Sequence, residues 1–209
     1  AIGHADPKPP APSPRRIRLL ASGWRFHLGH AADIEQDFGF GRNQRTYAKA
    51  GAATADAAYA AFDDSGWARV QVPHDWAVAL PFAEPSQPAP KETADAVAAH
   101  GFKAIGRDFP QHSVGWDRLP LAIEAATGKG LPQRTAVVLV NGYVAGRNES
   151  GYAPFSVDVS DFLDYDGGPN QLCLRVDASL GEGWFYEGAG IYRHVTQVSA
   201  HAVHVPQWG

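Results

Sequence analysis

The residues best suited to chemistry lie in one ten-residue run, Trp184-Phe185-Tyr186-Glu187-Gly188-Ala189-Gly190-Ile191-Tyr192-Arg193. Aromatic rings can stack on the face of a pyranose. A carboxylate beside them can accept hydrogen bonds from sugar hydroxyls. Trp184, Tyr186 and Glu187 are therefore candidate contacts in a concave sugar site. Gly188 and Gly190 would let the backbone turn sharply at that point. The same composition also suits a glycine-kinked strand whose rings fill a core.

A second group, Asn141, Arg147, Asn148 and Glu149, sits on or just after an Asn-Gly turn. Polar side chains so placed could line a subsite, or hold the loop and meet solvent. His74-Asp75 has the residue types of a general base and its orienting carboxylate. Sequence neighbours on an extended segment point to opposite sides, so the two are not expected to pair. Asp164, Asp166 and Asn170 lack the twelve-residue frame and closing glutamate of a calcium loop, and a plain turn is expected. His201 and His204, three apart on a strand, would face opposite ways and make a poor metal pair. Cys173 alternates with Leu172 and Leu174, which gives it no reason to be reactive. As the one cysteine, it allows no intrachain disulfide. No Gly-x-Ser-x-Gly elbow and no glycine-rich phosphate loop is present. From these residues no catalytic group, metal or cofactor is assigned.

The elements that must position these residues read as short strands. The 209 residues are 44% hydrophobic, enough for one large domain or two small ones. Gly 22 and Pro 16 are high and distributed, which favours turns and strands over long helices. Residues 1–14 are rich in Pro and Ala and read as a disordered leader. Trp24, Phe26 and Leu28 alternate with Arg25 and His27, the period of a half-buried strand. Residues 42–61 are Ala-rich, a short helix or a loop insertion, and Phe62–Trp67 is a turn. A strand is expected around Val70 and Val72, stopped by Pro73. Residues 81–92 form a Pro-rich loop, and Thr93–Ala99 could be one or two helical turns. Ala136–Val140 is a continuous apolar run, as in a strand buried on both faces. Asn141-Gly142 after it signals a hairpin. Val157 and Val159, then Leu172, Leu174 and Val176, continue the strand pattern across the turn Asp164–Asn170. A last strand region runs from Tyr192 to about Val205. Short strands at this spacing indicate an all-β sandwich.

The net charge of −4, with no basic run longer than Arg15-Arg16-Ile17-Arg18, points away from nucleic acid as a partner. No apolar stretch approaches the roughly 20 residues that span a bilayer, so no membrane partner is expected. The chain has no methionine, even at position 1. That implies a processed chain, a fragment or an expression product, and a removed signal peptide would place it in a periplasmic or secreted compartment.

The motifs also fall in a familiar order. They run Gly23-Trp24-Arg25-Phe26, Phe62-Asp63-Asp64-Ser65-Gly66-Trp67, Val72-Pro73-His74-Asp75-Trp76 and Gly115-Trp116. Val140-Asn141-Gly142, Gly151-Tyr152-Ala153-Pro154-Phe155 and Gly188-Ala189-Gly190-Ile191-Tyr192-Arg193 follow. The series resembles the N-terminal sugar-binding domain of glycoside hydrolase family 2, the β-galactosidase family, over residues 15–205. The resemblance implies a jelly-roll β-sandwich like the galactose-binding-domain fold. It implies a β-galactoside-like carbohydrate as partner. Further partners are a downstream immunoglobulin-like domain, whose linker would start at 206–209, and a (β/α)8 barrel. In that family two glutamates of the barrel carry retaining hydrolysis. By this resemblance the 209 residues alone should not hydrolyse a glycoside, and a free-standing carbohydrate-binding module is the alternative role. The Trp184–Glu187 loop approaches the barrel's sugar site in the family, and would touch sugar or seat the barrel. His74-Asp75 becomes a structural turn over Trp76, and Arg193 is expected to pair with an acid of the sandwich.

The chain departs from the family in two places. Where the family has Trp-Tyr-Arg-Arg, this sequence has Trp116-Asp117-Arg118-Leu119-Pro120. Where the family carries a Phe-Asp-Gly strand, Gly128–Arg134 runs directly into Thr135. A shortened inner strand is the expectation, with unpaired backbone groups unless neighbours compensate.

Overall fold

A computed structural model describes residues 15–42, 55–82, 105–122, 127–129, 135–151, 153–179 and 188–200. Among the described residues twelve strands are formed: β1 (Arg15–Leu19), β2 (Trp24–Leu28), β3 (Ala68–Val70), β4 (His74–Asp75), β5 (Val114–Leu121) and β6 (Thr127–Lys129), then β7 (Thr135–Val140), β8 (Tyr143–Asn148), β9 (Ser156–Asp158), β10 (Asn170–Asp177), β11 (Gly190–Ile191) and β12 (Thr196–Ala200). Among the described residues the helical content is three 3-10 turns, Asp56–Ala58, Trp76–Ala79 and Ser160–Phe162. The proposed leader 1–14, most of the Ala-rich stretch, Thr93–Ala99, and His201 and His204 lie outside the described residues.

The fold is an all-β sandwich of antiparallel sheets. One sheet has the order β1-β12-β6-β9, and the other β3-β2-β5-β10-β7-β8. Leu119 and Leu121 of β5, Val138 and Val140 of β7, and Leu172 and Leu174 of β10 meet Leu20, Val159, Leu163 and Val195 between the sheets. Burial of each such side chain stabilises the fold by about 1.5–3 kcal/mol.

The alternation of β2 and the apolar run of β7 are both realised, and β7 is buried on both faces. Asn141 (φ 52°) and Gly142 (φ 89°) close the β7–β8 hairpin. Positive φ at both central residues is what a tight two-residue turn requires. The strand expected around Val70 and Val72 ends at Val70, and Val72 instead donates its N–H to Ala21 O.

The Trp116–Pro120 departure lies inside β5. This eight-residue strand is paired to β10 along its whole length and to β2 through Gly115–Arg118. The shortened region is β6, three residues long, and it is hydrogen-bonded between β12 and β9.

The outer face of the larger sheet is covered as well. The connection from β2 to β3 folds back over it, packing Phe38, Phe40, Phe62, Trp67, Ala57 and Ala58 on Val114, Trp116, Val137, Leu139 and Cys173. Arg25, His27, Arg118 and Arg175 alternate with the inner-face residues and so point into this cover. His27 packs on Phe38 and Trp67. Arg118 donates to Asp64 Oδ2 at 2.9 Å and to the carbonyls of Ala57 and Tyr59, under the rings of Phe62 and Trp67. Arg175 pairs with Asp37 at 2.8 Å, and Asp37 also accepts from Trp116 Nε1 at 2.7 Å. Burial pushes the Asp37 carboxyl up, while Arg175 and Trp116 pull the other way. Cys173 is wholly buried beneath this layer, and burial raises its thiol above the ordinary range, which keeps it protonated and inert.

Candidate functional site

Trp184, Tyr186 and Glu187 lie outside the described residues, but both roots of their segment are described. It leaves the sandwich at the C-terminal end of β10 and returns at β11. On the leaving side, Ala178 donates to Ser113 O at 2.7 Å, and Ser179 N donates to Asp177 Oδ1 at 2.9 Å. On the returning side, Ala189 N donates to Asp75 Oδ1 at 2.9 Å, and β11 pairs with β4 through Gly190–Asp75 and Ile191–His74. The Asp75 carboxylate also receives Ala77 N at 3.0 Å, capping the 3-10 turn that carries Trp76.

The buried Trp76 indole is the floor of this end. It lies on Phe26 with ring centres 5.5 Å apart, and its Nε1 donates to His112 O at 3.0 Å. A Cβ on Gly115 would sit 2.5 Å from its ring, so only glycine fits below it. This accounts physically for the Gly-Trp pair in the sequence.

His74 and Asp75 diverge as neighbours on a strand should. Asp75 ties down the returning root, and the His74 ring turns inward against Phe26 and toward Asp117. His74 Nδ1 stands 3.7 Å from Asp117 Oδ1. Asp117 is completely buried, and burial raises its carboxyl above the ordinary value while His74 opposes the shift. Asp117 was not singled out as a site residue from the sequence. The one signal for it was an acid at the position where the family carries tyrosine.

The second candidate group is divided by the fold. β8 runs antiparallel to β7, so Arg147 and Asn148 lie opposite Val137 and Ala136, toward the loop roots. Asn148 Nδ2 donates to Ser150 O at 2.7 Å, and Arg147 is exposed. Tyr192 Oη donates to Gly151 O at 2.7 Å, which joins this segment to the residues after β11. Asn141 is at the other end of β7, about 20 Å away for six extended residues. Its amide donates to Phe162 O at 2.8 Å and to Asn170 Oδ1 at 2.7 Å, and accepts from Gln171 N at 2.8 Å. Both donors and the oxygen are engaged in closing the core. Asn141→Ala is expected to cost about 1–3 kcal/mol in urea denaturation, the penalty for orphaned buried groups.

Other readings resolve simply. Asp164 and Asn170 hold their own turn, through Asp166 N to Asp164 Oδ1 at 2.8 Å and Asp164 N to Asn170 Oδ1 at 2.7 Å. Among the described residues no three His, Cys, Asp or Glu side chains gather as metal donors. Arg193 is exposed, with its guanidinium 5.8 Å from the Tyr192 ring centre. Among the described residues it faces that ring and not an acid of the sandwich.

No protein-family model matches the chain. The β-galactosidase BoGH2A of Bacteroides ovatus is 29% identical over 205 residues, which are 94% of this chain and 20% of that protein. A family 2 glycosyl hydrolase of Bacteroides cellulosilyticus superposes with a TM-score of 0.58 at 25% identity, over 88% of this chain and 20% of its own. The chain resembles an N-terminal domain of glycoside hydrolase family 2 enzymes. A β-glycosidase from Bacteroides vulgatus shares the fold, with a TM-score of 0.61 at 23% identity over 88% of this chain. The domain spans about a fifth of the length of the relatives it matches.

Proposed function

We propose that this chain is the sugar-binding accessory sandwich, with jelly-roll topology, of a β-galactosidase-like glycosidase. Trp184, Tyr186 and Glu187 form one wall of the substrate pocket. Arg147 and Asn148, about 10 Å or two strand spacings across the sheet, stand at the same end. The barrel supplies the catalytic glutamates and most of the specificity for the sugar. The observation that supports this reading best is the pinning of both loop roots. Asp75, Trp76 and Ser113 hold the two ends on rigid strands, as a preformed ligand wall requires.

The test is titration of the 209-residue chain with galactose, lactose and a glucuronide, followed by tryptophan fluorescence, beside an assay on p-nitrophenyl β-galactoside. One wall of a pocket makes a fraction of the contacts, so binding weaker than about 1 mM and no turnover are expected. Saturable binding at about 1 mM or tighter, lost in Trp184→Ala, would replace this reading with a free-standing carbohydrate-binding module. Turnover would refute the non-catalytic role.

A further inference from the structure

We propose that the buried Asp117 carboxyl, facing His74, sets how firmly the returning root of the 180–187 segment is held, with Asp117 as the positioning residue for His74. The functional consequence rests on reading that segment as the ligand wall. The coupling itself does not.

The argument starts from an unanswered carboxylate. Asp117 is wholly buried on the inner face of β5, and among the described residues neither of its oxygens receives a hydrogen bond. Its cross-strand neighbours are Phe26 and Leu174, neither of which can donate a side-chain proton. Within reach is His74 Nδ1, itself buried and without a hydrogen-bond partner. The separation of 3.7 Å is that of an ion pair and exceeds a hydrogen bond. An ionised carboxylate so enclosed is strongly disfavoured unless a charge balances it. The buried Asp117 carboxyl therefore favours the folded state in its protonated form.

His74 couples the state of the Asp117 carboxyl to the loop root. It is half of β4, and the β4–β11 ladder is two residues long. Its neighbour Asp75 holds Ala189 N. The groups packed on the ring are Phe26 from β2, Ile191 opposite it on β11 and Asp117 from β5. Asp75 turns its carboxylate away to Ala77 N and Ala189 N. Among the described residues Asp117 is thus the one charged group facing the ring.

The sign follows from the buried acid. Its folded value is raised. Its favourable contribution is therefore complete below the ordinary carboxylate value of 3.8 and is lost as pH rises through the folded value. Hydrogen exchange of the Ala189, Gly190 and Ile191 amides, corrected for intrinsic rates, measures this from pH 3.8 upward. The wild-type chain should lose about tenfold in protection at these amides as pH rises. Amides of β7 and β10 should not change with them. Asp117→Asn, nearly isosteric, and His74→Gln should flatten the profile. A flat wild-type profile overturns the proposal without need of a variant, and so does an Asp117→Asn profile that still falls tenfold. A falling profile would leave the coupling standing even where tight sugar binding by the isolated chain replaces the accessory reading.

Discussion

Asp37→Ala is expected to lower stability by about 3–5 kcal/mol, the cost of leaving one member of a buried ion pair alone. Asp37 Oδ2 receives both Nε and Nη2 of Arg175 at 2.8 Å, and Oδ1 receives Trp116 Nε1 at 2.7 Å. Removing the carboxylate orphans a guanidinium and an indole N–H together, below a layer that water does not enter. Arg175 would keep Asp177 at 3.1 Å, but that side chain is a quarter exposed and screened. The loss should also loosen the part of the cover around Asp37, while Arg118 of β5 still holds Asp64 and the Ala57 and Tyr59 carbonyls. Urea denaturation of Asp37→Ala and, as a comparison, Asp177→Ala separates the two contacts. A midpoint shift for Asp37→Ala worth less than about 1 kcal/mol, with unchanged slope, would mean that the aromatic packing holds the cover without the ion pair.

That cover marks the boundary of what the sequence discloses. Leu172, Leu174 and Val176 alternate with Cys173 and Arg175, and this fixes a strand and its inner face. Period-two alternation records that Arg175 points away from the core. It does not record whether water or a second layer lies there. The partner, Asp37, is 138 residues distant in a stretch with no strong periodicity. The hairpin at Asn141-Gly142 was legible because turn chemistry is local. The role of the Asn141 amide was not, because Phe162 and Asn170 reach it only through the fold. Strand direction likewise separates Asn141 from Arg147 and Asn148, although six residues of sequence join them. Asp117 lies within a departure from the family pattern that reads as a strand change and not as a site. Its meaning came from the approach of His74 across the sheet.

Gly190→Ala should be the most damaging single-methyl change at the loop roots, costing about 2–4 kcal/mol. Two effects combine there. Gly190 has φ 134°, a conformation that L side chains rarely adopt, and an added Cβ would overlap the carbonyl oxygen of His74. That oxygen is backbone on the paired strand, so no side-chain rotation relieves the overlap. Relief requires parting β11 from β4, which also draws Ala189 away from Asp75. Gly167→Ala provides the control. Its φ of 95° imposes comparable strain, yet its Cβ would enter open space. It should cost about 1–2 kcal/mol, the strain alone. The difference between the two variants in urea denaturation isolates the close approach at the root. Equal losses would mean that the β4–β11 ladder yields freely, and that the segment bearing Trp184, Tyr186 and Glu187 is not held in place by it.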